Sequence, residues 1–412
     1  MPHLSIDFQR LKQDIVDLSS IGRRENQGLY RMAFSPADIQ ARQWLQQRIR
    51  DAGLELYVDG AANIHARLDW DGQRPSVMTG SHLDTVPGAG HLDGALGVLT
   101  GLECLRCMKE QQIALRLPLE SVAFTDEEGR FGDMIGSQAI CGQLTPDSLH
   151  SARDLAGVRL IDAMAEHGLD AMDALHAQRR PDSLHAFIEL HIEQGPVLDR
   201  QQLHIGIVDA IAGLFKWQAR FIGEANHAGT TPMTMRRDAF QAVAELSGEI
   251  PRILEENGSI RSVATIGRVE LSPGAANVVP GRADFSLEVR DTDPLVLDEL
   301  ANAFRRAMSA IARRRDLMFE FEVLGELTPR KCDPGIVDTI GGLCREMGIN
   351  STHMHSGAAH DTQIMSTITR AGMIFVPSKD GRSHSASEWT AWEDIELGAN
   401  VLLNTLKRLA GA

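Results

Sequence analysis

Apolar residues recur at helical spacing near the start of the chain, at Phe8, Leu11, Ile15 and Leu18, and again at Ile39, Trp44, Leu45 and Ile49. Ser35-Pro36 supplies a cap and a first-turn proline for the second of these helices, and Gly53 ends it. Short apolar runs then predict strands over 54–58, 63–68, 77–79 and 119–124, with a helical pattern over 95–108. This alternation predicts an α/β sheet covered by helices.

Between 145 and 180 the pattern is helical and polar, without evident chemistry. From Leu214 it changes: strand 214–222, helix 237–256, strands 260–271 and 282–290, helix 294–315, strand 318–324. That βαββαβ order predicts a ferredoxin-like α+β unit inserted into the first domain. From Pro329 onward the helix-and-strand pattern of the first domain returns. The expected domains are therefore 1–212 with 329–412, and 213–328, with hinges at Ala212-Gly213 and near Pro329.

Composition sharpens this outline. A chain of 412 residues exceeds a comfortable single core, and 43% hydrophobic with 24% charged residues is that of an ordinary globular protein. A net charge of -15 with no basic stretch argues against nucleic acid or an anionic membrane as partner. The five cysteines are scattered, and Cys104-x-x-Cys107 lies in a helical pattern with no second pair to complete a zinc site. Free thiols suit a reducing compartment, and the N-terminus lacks the basic-then-apolar build of a signal peptide. No run of about 18 apolar residues is present, so a cytoplasmic protein is expected.

Chemistry gathers where apolar runs end. Val77 to Thr79 leads to His82 and Asp84, with Asp93 at the head of the 95–108 helix. The 119–124 run leads to Asp126-Glu127-Glu128, the 184–190 run to His191, and the run after Gly372 to His384. Imidazole and carboxylate are ligands for zinc or a similar divalent ion, and Asp84 is a candidate to orient the His82 ring. Taken singly, a three-acid run is also a solvated turn. A lone histidine is also ordinary packing, as His65 and His204 are read.

Seven motifs decide between these readings: GSHLDTVPGAGHLDG, FTDEEGRFG, HIEQGPVL, NHAGTTPM, PGAANVVPGRADFSLEVRD, MHSGAAHDTQ and SHSASE, in this order over about residues 80–390. Together they resemble the two-metal amidohydrolases of the M20 peptidase superfamily. Within that superfamily the resemblance is to the branch of N-carbamoyl-L-amino acid hydrolases, allantoate amidohydrolases and beta-ureidopropionases. The resemblance implies an aminopeptidase-like catalytic domain and an inserted domain serving as lid and dimerisation surface. It implies two divalent ions on His82, Asp93, Glu128, His191 and His384: Asp93 bridges, His82 and His191 complete one site, and Glu128 and His384 the other. Zinc or manganese suits these donors, as do cobalt and nickel.

By the same resemblance Glu127 is the general base, and His227, reaching across from the partner subunit of a homodimer, stabilises the oxyanion. Gln194 meets the ureido end of the substrate, and Asn277 and Arg290 hold its carboxylate. On residues alone, Arg290 beside Asp291 is equally a surface ion pair, and Asn277 and Gly281 are equally turn residues. His360 and Asp361 serve either hydrogen bonding or substrate contact. One departure stands out: many relatives read EEG-x-RF where this chain reads EEGRFG, in a loop whose Arg130 and Phe131 are expected to border the substrate.

The implied reaction is metal-dependent hydrolysis of the carbamoyl C–N bond of an N-carbamoyl-L-amino acid, giving the amino acid, carbon dioxide and ammonia. Allantoate amidohydrolase and aminoacylase or dipeptidase activities are the enzymatic alternatives. A catalytically silent ureido-acid binding protein is the other, and its mark would be a lost ligand or base. All five ligands and Glu127 are present.

Overall fold

Four apolar runs, Ser76–His82, Leu119–Phe124, Leu184–Ile192 and Ala371–Val376, are buried along nearly their whole length. Strands of this kind need cover on both faces, which parallel pairing with helical crossovers provides. In the computed structural model, which describes residues 3–411, they run parallel as the centre of a mixed nine-stranded sheet. Their order is Ala371–Val376, Leu184–Ile192, Ser76–His82, Leu119–Phe124. Ile64–Leu68 and Glu55–Val58 extend one side antiparallel, and Ile205–Ile211 lies antiparallel on the other. Leu184–Ile192 and Ile205–Ile211 follow each other in the chain, yet Ala371–Val376 lies between them.

Helix Ala95–Glu110 packs directly on this sheet, with every residue from Ala95 to Met108 buried, Cys104 and Cys107 included. Its approach depends on Gly97, where a Cβ would crowd the Leu190 carbonyl and lie 2.8 Å from Ser81 Cβ. Helix Pro36–Asp51 corrects the predicted face. Trp44 and Ile39 are only partly buried, whereas Asp38 and Arg42 turn inward with Ala41, Leu45 and Ile49. The pair is bonded internally: Arg42 Nε lies 2.7 Å from Asp38 Oδ2, and the guanidinium also donates to the Ala62 carbonyl and to Thr125 Oγ1. The stretch 145–180 contains short helices Pro146–Ser151 and Leu160–Ala165, whose Leu149, Leu160 and Met164 pack in a small cluster with Phe34 and Phe131.

The chain divides into two units. One comprises the residues up to Asp209, Cys332–Met354 and those from His360 on; the other comprises Ala210–Lys331 and His355–Ala359. The second unit holds an antiparallel sheet in which Gly213–Ile222 pairs with both Arg282–Asp291 and Met318–Leu327. The predicted strand over 260–271 is two short strands, Val263–Thr265 and Val269–Ser272, on the outer side of Arg282–Asp291. Thr265 faces Glu288 and Val269 faces Phe285, so four steps on one strand match three on the other, a bulge that breaks the run. The strand order is that of a split βαβ. Helices Ala239–Asn257 and Pro294–Arg314 supply Leu246, Leu300, Phe304 and Met308 to a core with Trp217, Phe221 and Phe285. No helix among the described residues is long and apolar enough to cross a membrane.

Candidate metal centre

Parallel strands bring their carboxyl ends to one edge, where open α/β sheets hold ligands. His82 is the last residue of its strand, and its Nδ1–H donates to the Asp84 backbone carbonyl at 3.0 Å. His191 is fixed in the same way, Nδ1 to the Ile192 carbonyl at 2.9 Å. Both rings therefore turn Nε2 inward, the usual arrangement of a ligating imidazole. His191 Nε2 lies 3.1 Å and His82 Nε2 3.6 Å from Asp93 Oδ1. On the other side of the same carboxylate, His384 Nε2 lies 3.4 Å from Asp93 Oδ2 and 3.4 Å from Glu128 Oε2.

Asp93 thus presents one oxygen to His82 and His191 and the other to His384. The donor atoms of His82, Asp93 and His191, and separately those of Asp93, Glu128 and His384, lie within 4.8 Å of one another. Glu128 Oε1 is buried with no hydrogen-bond partner, and Glu127 Oε2 lies 3.4 Å from His82 Nε2. Burial raises Glu127 well above its ordinary 4.5 against the pull of His82, while burial and the Asp93 charge bring Glu128 to about 7. A concentrated set of nitrogen and oxygen donors with an orphaned carboxylate oxygen fits divalent cations. Gly94, at φ 62°, completes the cradle, because a Cβ there would run into the His82 ring.

The acidic run divides its labour. Asp126, at φ 53°, accepts the backbone N–H groups of Arg130, Phe131 and Gly132 and shapes the loop, leaving Glu127 and Glu128 for the centre. Asp84 holds the His82 ring through its backbone carbonyl, and its carboxylate, 3.9 Å from His82 Nδ1, accepts from the backbone N–H of Glu127 (3.3 Å) and Glu128 (3.1 Å). Gln194, expected at the substrate, donates from Nε2 to Asp93 Oδ2 at 2.8 Å. His360 is buried with its ring 4.6 Å from that of His191, edge to face, and Asp361 accepts from Ser137 Oγ at 2.6 Å. Phe131 and Arg130, expected to border the substrate, are held by the protein's own groups. Phe131 is buried against Phe34, and Arg130 binds Asp154 and the Ala33 carbonyl.

Two contributors escaped the sequence reading. Arg31 is fully buried, donates from Nε to the Leu83 carbonyl at 2.7 Å, and exchanges hydrogen bonds with Thr85 through its backbone. An arginine inside the apolar stretch around Leu29 and Ala33 was the available signal. Ser383 donates to Asp93 Oδ2 at 2.6 Å, and its place beside His384 was the only hint.

The remaining predicted residues belong to the second unit. His227 is exposed on the strand Asn226–His227, which pairs with Val278–Val279, and its Nδ1 accepts from the backbone N–H groups of Gly229 and Thr230 at 3.0 and 3.2 Å. Its neutral form therefore carries the proton on Nε2, as a donor. The backbone carbonyl of Asn277 accepts from Ala228 at 2.9 Å, which brings the two motifs together. Arg290 pairs with Glu288 rather than with Asp291, at 2.9 Å from Nε, and donates from Nη1 to the Gly357 carbonyl at 2.7 Å.

Residues 78–408 match the profile of peptidase family M20/M25/M40. The chain is 39% identical to an N-carbamoyl-L-amino acid amidohydrolase of Geobacillus stearothermophilus, over 98% of this chain and 99% of that protein. It is 35% identical to an allantoate amidohydrolase of Escherichia coli (strain K12), over 98% of each. A crystal structure of a hydantoinase/carbamoylase family amidase from Burkholderia multivorans superposes with a TM-score of 0.92, at 32% identity and 100% coverage of both chains.

Proposed function

The chain belongs to peptidase family M20/M25/M40 and is a hydrolase of C–N bonds, and from that premise we propose that it removes the carbamoyl group of an N-carbamoyl-L-amino acid. The observation that carries the proposal is Asp93, whose two oxygens face two donor sets with Glu127 beside them. We assign His82, Asp93 and His191 to one divalent ion, zinc or manganese, and Asp93, Glu128 and His384 to a second. Such a pair supplies Lewis acidity and makes water a nucleophile near neutral pH.

The chain's own groups do the rest. Glu127 takes the proton of the attacking water and returns it to the leaving nitrogen. His227, whose Nε2–H is the free donor, stabilises the tetrahedral oxyanion from the partner subunit of a homodimer. Arg290 and Asn277 hold the α-carboxylate; the bonds to Glu288 and to the Gly357 carbonyl leave one N–H on each terminal nitrogen of the guanidinium for that purpose. Gln194 keeps Asp93 in place and lies next to the ureido end. Allantoate is the second candidate substrate, favoured by the relative in Escherichia coli.

Ammonia release is the test, with the metal-loaded protein against N-carbamoyl-L-amino acids of differing side chain, N-carbamoyl-beta-alanine, allantoate and N-acetyl amino acids. Glu127→Gln is expected to lower kcat by about 10²–10⁴-fold with metal content unchanged. Turnover confined to allantoate reassigns the substrate, and amine release from acetyl substrates alone rejects the carbamoylase reading.

A further inference from the structure

We propose that Glu388 is a positioning residue that locks the loop carrying Asp93 to the segment carrying His384 and so sets the separation of the two donor sets. The inference rests on the metal-centre reading above. Glu388 is 3% exposed, and one of its oxygens, Oε1, accepts the backbone N–H groups of Leu92 at 2.8 Å and Asp93 at 3.2 Å. Its other oxygen, Oε2, lies 3.2 Å from Ser383 Oγ, the hydroxyl that donates to Asp93 Oδ2. The Glu388 backbone N–H donates to the Ser385 carbonyl at 3.0 Å, closing a tight turn around His384. One side chain therefore grips the main chain of the bridging residue and lies against Ser383, whose hydroxyl holds that residue's carboxylate, from a turn that also carries a ligand.

The surroundings are shaped for this side chain. A Cβ at Gly90 would run into the Glu388 carboxyl group and Cβ, so only glycine leaves the passage open. A buried carboxylate beside Asp93 raises the local electrostatic cost, as the upward shift of Glu388 by burial and the Asp93 charge records. That cost is offset by two N–H groups converging on one oxygen. Metal-supporting groups of this kind commonly change metal affinity by about 10–100-fold when removed.

The test is cobalt titration of the metal-free protein, followed by absorption and by the metal retained after dialysis against graded chelator. The unmutated protein is titrated in parallel and is expected to bind two equivalents; if it binds none, the metal-centre reading itself fails. Glu388→Ala is expected to weaken the second equivalent by about 10–100-fold and the first much less, because the His384 side loses its tether. Glu388→Gln keeps an acceptor for Leu92 and Asp93 and presents a donor to Ser383, so it is expected to restore the second equivalent to within a few-fold. Gly90→Ala, which displaces Glu388 without altering it, is expected to behave as Glu388→Ala does. Far-ultraviolet circular dichroism verifies that each variant is folded. Two equivalents bound as tightly by Glu388→Ala as by the unmutated protein would overturn the proposal. So would a Gln variant as weak as the Ala variant, which would make Glu388 a charge-balancing group and not a tether.

Discussion

At Asp84 the main chain and the side chain serve different neighbours: the carbonyl sets the His82 ring, and the carboxylate holds the N–H groups of Glu127 and Glu128. Asn at this position keeps the carbonyl and loses one of the two carboxylate acceptors, turning a donor toward an N–H group. Asp84→Asn is therefore expected to lower kcat about 10–100-fold with little change in KM, because the fault lies in the base and its neighbour and not in substrate anchoring. Steady-state kinetics on the best ureido substrate checks this, and an unchanged kcat rejects it. The donors themselves were legible in the sequence, since imidazoles and carboxylates at the ends of apolar runs announce themselves by residue type and place. Which atom of Asp84 acts on what was not legible, because that choice depends on how the main chain turns after His82. Arg31 was hidden for a related reason: its partners are backbone carbonyls, which leave no trace in residue identity.

Among the elements, the central strands were readable because parallel strands buried on both faces must be continuously apolar. The inward Asp38 and Arg42 were not, since polar residues on a helix are read as solvent-facing unless their partner is known. The run over 260–271 looked continuous because a bulge leaves no mark in hydrophobic pattern. Packing of helix Ala95–Glu110 on the sheet leaves no room at Gly97. Gly97→Ala is expected to destabilise the protein by about 1–3 kcal/mol despite the better helix propensity of alanine, since overpacking outweighs propensity here. The urea unfolding midpoint checks this, and a neutral or stabilising result would show that the helix can move off the sheet freely.

At the scale of the whole molecule, stability should follow pH through one buried cluster. Burial alone would lower His65, but the hydrogen bond to Asp59 and the Glu120 carboxylate 3.5 Å from Nδ1 outweigh it and hold its pKa above the ordinary 6.5. Burial alone would raise Glu120, but His65 and Arg179 outweigh it and hold Glu120 below its ordinary 4.5. The His65 contribution is complete below about 6.5 and is lost as pH rises through the raised value; that of Glu120 is complete above about 4.5 and is lost as pH falls. The cluster thus stabilises most between roughly pH 4.5 and 6.5. His65→Gln is expected to cost about 1–3 kcal/mol in that window and progressively less toward alkaline pH, as read from urea unfolding of the metal-free protein. A penalty that does not vary with pH would reject the assignment. The sheet carries a further consequence, for the order of assembly. Leu184–Ile192 and Ile205–Ile211 emerge together from the ribosome but cannot pair as a hairpin, because the slot between them is reserved for Ala371–Val376. Until that late strand arrives, two edges stay open, the unit waits on contacts of very long sequence separation, and a nascent chain cut short before Ala371 exposes a ready template for aggregation.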